Sequence, residues 1–132
     1  MIPRFRSALT SRIPASFSLA WFSGAARPAN MSSVKDIVES TIEKNPIVIF
    51  SKSYCPFCSR AKALLKEKFP EVEAAILELD ERDDGADIQN YLATKTNQRT
   101  VPNIFIKQQH IGGCDDTTAA VNSGKIAGLL KA

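Results

Sequence analysis

The sequence predicts an α/β domain, and three observations carry that reading. Short apolar runs of strand length alternate with stretches of helical spacing. The first two of those runs are joined through a helix, which makes them parallel neighbours. The first is short and apolar throughout, as in a strand buried on both faces of a sheet. With 132 residues the chain is long enough for one domain with a substantial core and short for two.

Taken in order, Val34, Ile37, Val38, Thr41 and Ile42 fall on one helical face, with Ser32 or Ser33 as the expected cap and Asn45-Pro46 as the stop. Ile47 to Ser51 is the first strand. The helix after it begins around Pro56 and turns Ala61, Leu64, Leu65 and Phe69 inward before Pro70 ends it. Ala75 to Asp80 alternates as a second strand, and Gly85 and Asp87 open a helix carrying Ile88, Tyr91 and Leu92. Asn103 to Lys107 and His110 to Gly112 read as a hairpin joined by Gln108-Gln109, although no Asn-Gly turn marks it. From Asp115 the chain is helical again, with Asp115 or Asp116 as N-cap, interrupted at Gly124 before a last turn or two.

The net charge of +3 divides unevenly. Residues 1–30 hold Arg4, Arg6, Arg12 and Arg27 and no acid, which leaves 13 Lys and Arg against 14 Asp and Glu in the rest, or −1. The folded part therefore offers no basic face for nucleic acid. No apolar run approaches the ~20 residues that cross a bilayer, so no membrane partner is expected. The first thirty residues, rich in Arg and Ser, fit an organelle transit peptide, for the mitochondrion or a plastid; a disordered tail and a secretory signal are the alternatives. Met31 stands where the composition changes, so a start there would give a cytosolic form of the domain at 31–132.

Cys55 and Cys58 lie at the strand-to-helix junction. If Cys55 caps the helix and Pro56 takes its first position, the Cys55 sulfur faces unpaired backbone donors and the positive end of the helix dipole. With Lys52 nearby, the thiol is expected to ionise below its ordinary ~8.5. Cys55, at the exposed lip, would attack a disulfide; Cys58, covered within the first turn, would resolve the mixed disulfide. Two other readings stand beside this one. A CxxC pair is half of a zinc site, for which only Cys114 and His110 remain as ligands. Both cysteines could also be small buried residues. Three cysteines with one CxxC at a βα junction favour redox or metal chemistry in a thiol-keeping compartment over a disulfide-stapled secreted scaffold.

Three blocks, KSYCPFC at 52–58, QRTVPNIFI at 98–106 and HIGGCDD at 110–116, make the chain after the presequence resemble a dithiol glutaredoxin. The resemblance implies a thioredoxin-like fold with a four-stranded mixed sheet flanked by helices. It implies Cys55 as nucleophile and Cys58 as resolving thiol. It further implies a glutathione site at which Thr100, Val101 and a cis Pro102 face the cysteinyl part. Gly113, Cys114, Asp115 and Asp116 would take the γ-glutamyl group, and Lys52 and Gln98, with Arg99 nearby, would lie near the glycine carboxylate. Phe57 stands at the rim where the family most often has tyrosine. Cys114 reads as a small buried residue or, more sharply, as a site of oxidation. His110 reads as a solvent-facing hairpin residue.

The implied activity is glutathione-dependent reduction of protein–glutathione mixed disulfides through Cys55 alone, and of protein disulfides through Cys55 and Cys58. Glutathione is the co-substrate, disulfide-bearing and glutathionylated proteins are the partners, and a monomer is expected. Two alternatives come with the resemblance. One is a module that holds a glutathione-ligated [2Fe–2S] cluster between protomers, against which Pro56 stiffens the helix start. The other is a thioredoxin-type reductase, against which Tyr54, Phe57 and Asp115-Asp116 count.

Overall fold

The computed structural model describes residues 26–131, with side chains from Ser33 onward. The chain runs α1 (Ala26–Lys44), β1 (Ile47–Ser51), α2 (Pro56–Lys68), β2 (Ala74–Glu78), a 3₁₀ turn (Leu79–Glu81), α3 (Gly85–Thr96), β3 (Asn103–Ile106), β4 (Gln109–Gly112), α4 (Cys114–Asn122) and α5 (Lys125–Lys131). The sheet order is β2-β1-β3-β4. β1 and β2 are parallel, as the intervening helix requires, and the other two pairings are antiparallel. This is the four-stranded mixed sheet of the thioredoxin-like fold.

Strand parity divides the core in two. Val48, Phe50 and Phe105 point to one face, where Val34, Val38 and Ile42 of α1 and Ile88 and Leu92 of α3 close over them. Ile47, Ile49, Ile104 and Ile106 point to the other, under Ala61 and Leu65 of α2, Ala120 of α4 and Ile126 of α5. All five residues of β1 are buried because helices cover both faces. Phe50 meets Phe105 edge-on with ring centroids 6.0 Å apart. Truncating a ring so enclosed costs about 3–5 kcal/mol.

Five local expectations shift. α1 starts at Ala26, so Ser32 and Ser33 lie inside the helix and not at its start; Pro28 falls in the first turn, where its missing N–H breaks no intrahelical bond. β2 ends at Glu78, and Leu79 and Asp80 enter a 3₁₀ turn that brings the chain against α3. Leu64 is only half-buried, one position off the stripe formed by Ala61 and Leu65. The hairpin turn is Lys107-Gln108, not Gln108-Gln109; φ is 49° and 72° at the two residues, the doubly positive pattern that suits a tight hairpin. Finally, the N-cap of α4 is Gly113, and Asp115 and Asp116 occupy its first turn, where their charge favours the helix dipole.

Candidate active site

Cys55 caps α2 and Pro56 follows at its first position. The Cys55 sulfur accepts the amide of Cys58 at 3.3 Å, satisfying one of the donors a helix start leaves open. The loop before it is tied down from both sides. The Cys55 amide donates to the Lys52 carbonyl at 3.0 Å, and Ser53 donates its amide (2.9 Å) and its hydroxyl to the carboxylate of Asp80. Those bonds hold the Asp80 carboxyl below the usual carboxylate range. Asp80 is a brace that the sequence reading missed, because it becomes adjacent only once β1 and β2 are in register.

The two sulfurs differ less in exposure than their positions suggest: Cys55 is 9 % exposed and Cys58 fully enclosed. Hydrogen bonds separate them. Burial pushes the Cys55 thiol up, but the Cys58 thiol, the amides of Cys58 and Phe57 and the charge of Lys62 outweigh it, and Cys55 ionises below the ordinary thiol value. Cys58 is pushed up to about 11, first by burial and then by the bond to Cys55, against the opposing pull of a backbone bond from Lys52 and the Ser51 hydroxyl. The cationic influence is therefore Lys62, two helical turns along α2, in place of the expected Lys52.

A cleft of about 430 Å³ opens beside the thiols, lined by Phe57, Gln98, Thr100, Val101, Pro102, Gly113, Cys114, Asp115 and Asp116. The Cys55 thiol reaches its edge, donating to the Val101 carbonyl at 3.9 Å. The Val101–Pro102 bond is cis. Of the residues expected around glutathione, Lys52 and its neighbour in that expectation, Arg99, are outside the lining. Phe57 is half exposed, and the Arg60 guanidinium sits 5.3 Å above its ring, consistent with a rim position.

Gln98 and His110 have roles the sequence did not reveal. The Gln98 amide donates to the carbonyls of Thr100 (3.0 Å) and Pro102 (2.9 Å), so it straps the proline loop. Its own oxygen lies 3.2 Å from His110 Nε2. His110 is half-buried, its ring 5.2 Å from that of Phe105, and is not the solvent-facing residue expected. Burial lowers its pKa, with Asp116 pulling the other way. Asp116 accepts the Gly113 amide at 3.4 Å. Cys114, buried, contributes to the cleft wall. Among the described residues no cluster of three His, Cys, Asp or Glu is placed to hold a metal ion.

A thiol whose ionisation the site favours, with a second thiol held protonated one turn on to finish the exchange, performs thiol–disulfide oxidoreduction, and that is the class the fold and site define. The glutaredoxin family model matches residues 47–111. Glutaredoxin-1 of Rhizophagus irregularis is 55 % identical over 102 residues, covering 77 % of this chain and 99 % of that protein. The chloroplastic glutaredoxin-C4 of Oryza sativa subsp. japonica is 48 % identical over 95 residues, covering 72 % of this chain and 70 % of that protein. Among solved structures, a buckwheat glutaredoxin–glutathione complex superposes with a TM-score of 0.73 at 37 % identity, covering 80 % of this chain and 94 % of that one. The chain belongs to the glutaredoxin family, and it is a glutathione-dependent thiol–disulfide oxidoreductase.

Proposed function

We propose that this chain works as a dithiol glutaredoxin whose cleft holds glutathione against Cys55. The observation that carries the reading is the split between the sulfurs, with the Cys55 thiol at a helix cap drawn below its ordinary value and Cys58 beneath it pushed up to about 11. The Cys55 thiolate attacks the glutathione sulfur of a protein–glutathione disulfide. A Cys55–glutathione disulfide forms, and the protein thiolate leaves and takes a proton. A second glutathione, as thiolate, attacks that bond and leaves as glutathione disulfide, regenerating ionised Cys55. With a protein disulfide, Cys55 forms a mixed disulfide with one sulfur and releases the other. Cys58 then attacks Cys55, forming the internal disulfide and freeing the reduced protein, and two glutathiones restore both thiols.

The cleft suits glutathione chemically. The Val101 backbone offers an extended partner to the cysteinyl amide. The first turn of α4 offers amides to the γ-glutamyl carboxylate, while Asp115 or Asp116 offers charge to its ammonium. Gln98 keeps the proline wall in place. The substrates are glutathionylated and disulfide-bearing proteins met by a monomer. Residues 1–30, outside the described residues for most of their length, act as an import signal to the mitochondrion, with a plastid as the alternative and Met31 as a second start for a cytosolic form. A blot of cell fractions that finds one length in one compartment would remove the two-start reading.

The test is reduction of a glutathionylated peptide at fixed glutathione. Cys55→Ser abolishes activity, whereas Cys58→Ser retains it because glutathione resolves the mixed disulfide from outside. Full activity in Cys55→Ser would overturn the assignment.

A further inference from the structure

Gln98 lies on the cleft wall, and both hydrogens of its side-chain amide are spent on the loop that follows it. One goes to the Thr100 carbonyl at 3.0 Å and the other to the Pro102 carbonyl at 2.9 Å, so the strap closes only when the amide nitrogen faces the loop. An amide turned the other way would set its oxygen against two carbonyl oxygens. In the orientation observed, the Gln98 oxygen points to His110 Nε2 at 3.2 Å, and that contact is attractive only if Nε2 has the hydrogen. Burial keeps the His110 pKa below its ordinary value, which leaves a neutral ring with one N–H at neutral pH. The ring is fixed by the sheet. His110 stands opposite Phe105 in the β3–β4 register, the two rings are 5.2 Å apart, and Phe105 is buried in the core. His110 itself is not part of the cleft wall.

We propose that His110 is a positioning residue of this cleft: its Nε2–H holds the Gln98 amide in the one orientation that straps the loop from Thr100 to Pro102, and so sets how firmly the cleft grips a glutathionyl group. This rests on the reading above that the cleft holds glutathione. A carboxamide has nearly the same shape in either orientation, so hydrogen bonds alone choose between them. The two loop carbonyls favour one orientation, and the ring donor on the far side favours the same one. With carbon in place of that donor, Gln98 Oε1 loses its partner and the strap is held from one side only. The strapped loop includes Val101, whose carbonyl accepts the Cys55 thiol at 3.9 Å, so a slackened strap is felt where the ligand sulfur must meet Cys55. His110 thus acts on substrate through Gln98, from the sheet behind the wall.

Two measurements on the full chain test this. The first needs no variant: the sequence has one histidine, so proton–nitrogen correlation spectra of the unaltered protein report the His110 ring without ambiguity. The hydrogen is expected on Nε2, and a neutral ring protonated on Nδ1 would overturn the proposal, because two acceptors would then face each other. The second is steady-state reduction of glutathionylated peptide, varied at fixed glutathione. His110→Phe keeps a ring against Phe105 and removes the donor. Its KM is expected to rise roughly two- to tenfold, the effect of one neutral hydrogen bond, while kcat and the rate of Cys55 alkylation by iodoacetamide stay within about twofold. His110→Gln restores an N–H at similar reach and is expected to recover most of the KM. Circular dichroism confirms that each variant is folded. An unchanged KM in His110→Phe would overturn the proposal and leave the glutathione reading intact. Equal impairment of both variants, or slowed alkylation together with the raised KM, would overturn it too, as a general loss of packing. If the unaltered protein does not reduce glutathionylated peptide, the glutathione reading itself fails and takes the proposal with it.

Discussion

Among the described residues, one cleft is larger than the cleft beside the thiols, and the chemistry sits in the smaller of these two. A cleft of about 690 Å³ lies between α2 and the β1–β2 edge, walled by Ile47, Ile49, Leu65, Phe69, Val72 and Ile76 among others. The smaller one has fewer apolar walls, but it has the first turn of a helix, a cis-proline loop strapped by Gln98, and at its edge a thiol drawn below its ordinary pKa. Volume reports where side chains fail to fill space. Reactivity reports where backbone donors and charges converge on a nucleophile, and only the smaller cleft has that convergence. Lys62 is the residue the two share in effect, lining the larger cleft while its charge favours the Cys55 thiolate in the smaller.

Three substitutions sharpen the contrast. Gly112→Ala should have the largest effect. Gly112 has φ of +126°, a strained conformation for any other residue, and an added Cβ would stand 2.4 Å from Asp116 Oδ2, so the Asp116 side chain in the first turn of α4 must give way. A stability loss of about 1–3 kcal/mol follows, measured by thermal unfolding. With it comes a rise in the KM for glutathionylated peptide that exceeds any fall in kcat. Lys62→Met should act more gently. Removing its charge moves the inflection of the pH–rate profile toward higher pH, because the lost contribution favoured the thiolate, and activity at neutral pH falls by about two- to fivefold. Above the inflection the variant and the unaltered protein should converge. Ile76→Glu should do least. Ile76 is 44 % exposed in the larger cleft, and replacing it should leave peptide reduction unchanged and stability within about 0.5 kcal/mol. A large loss of activity there would mean that the larger cleft takes part in the reaction.

Most of the fold was legible because its signals are local. The β-branched run Ile47 to Phe50, the Pro56 helix start and the helical spacing of Ile88, Tyr91 and Leu92 each stand in one stretch of chain, and each became the expected element. The misplacements also have local causes. Asp115 and Asp116 look like caps because acids favour a helix start, yet Gly113 takes that position and the acids fall two and three residues after it, within the first turn. In the site, the sulfurs and nearly all of the cleft wall could be named from three sequence blocks. The supporting groups could not. Asp80 and Glu78 reach Ser53 and Ser51 across 27 positions, and Gln98 meets His110 across 12, so their roles exist only after β1, β2 and β4 are aligned. Lys52 stands nearer to Cys55 in sequence, whereas two turns of α2 bring Lys62 to bear on the sulfur.

The most direct test of the split between the two sulfurs is alkylation of the reduced protein by iodoacetamide across pH 5 to 9, with the modified cysteine identified by peptide mass. Cys55 should react at pH values well below those at which an ordinary thiol does, while Cys58 stays unmodified throughout the range, since its proton is held to about 11. Equal labelling of Cys55 and Cys58 near neutral pH would contradict the assignment of attacking and resolving thiols from which the rest follows.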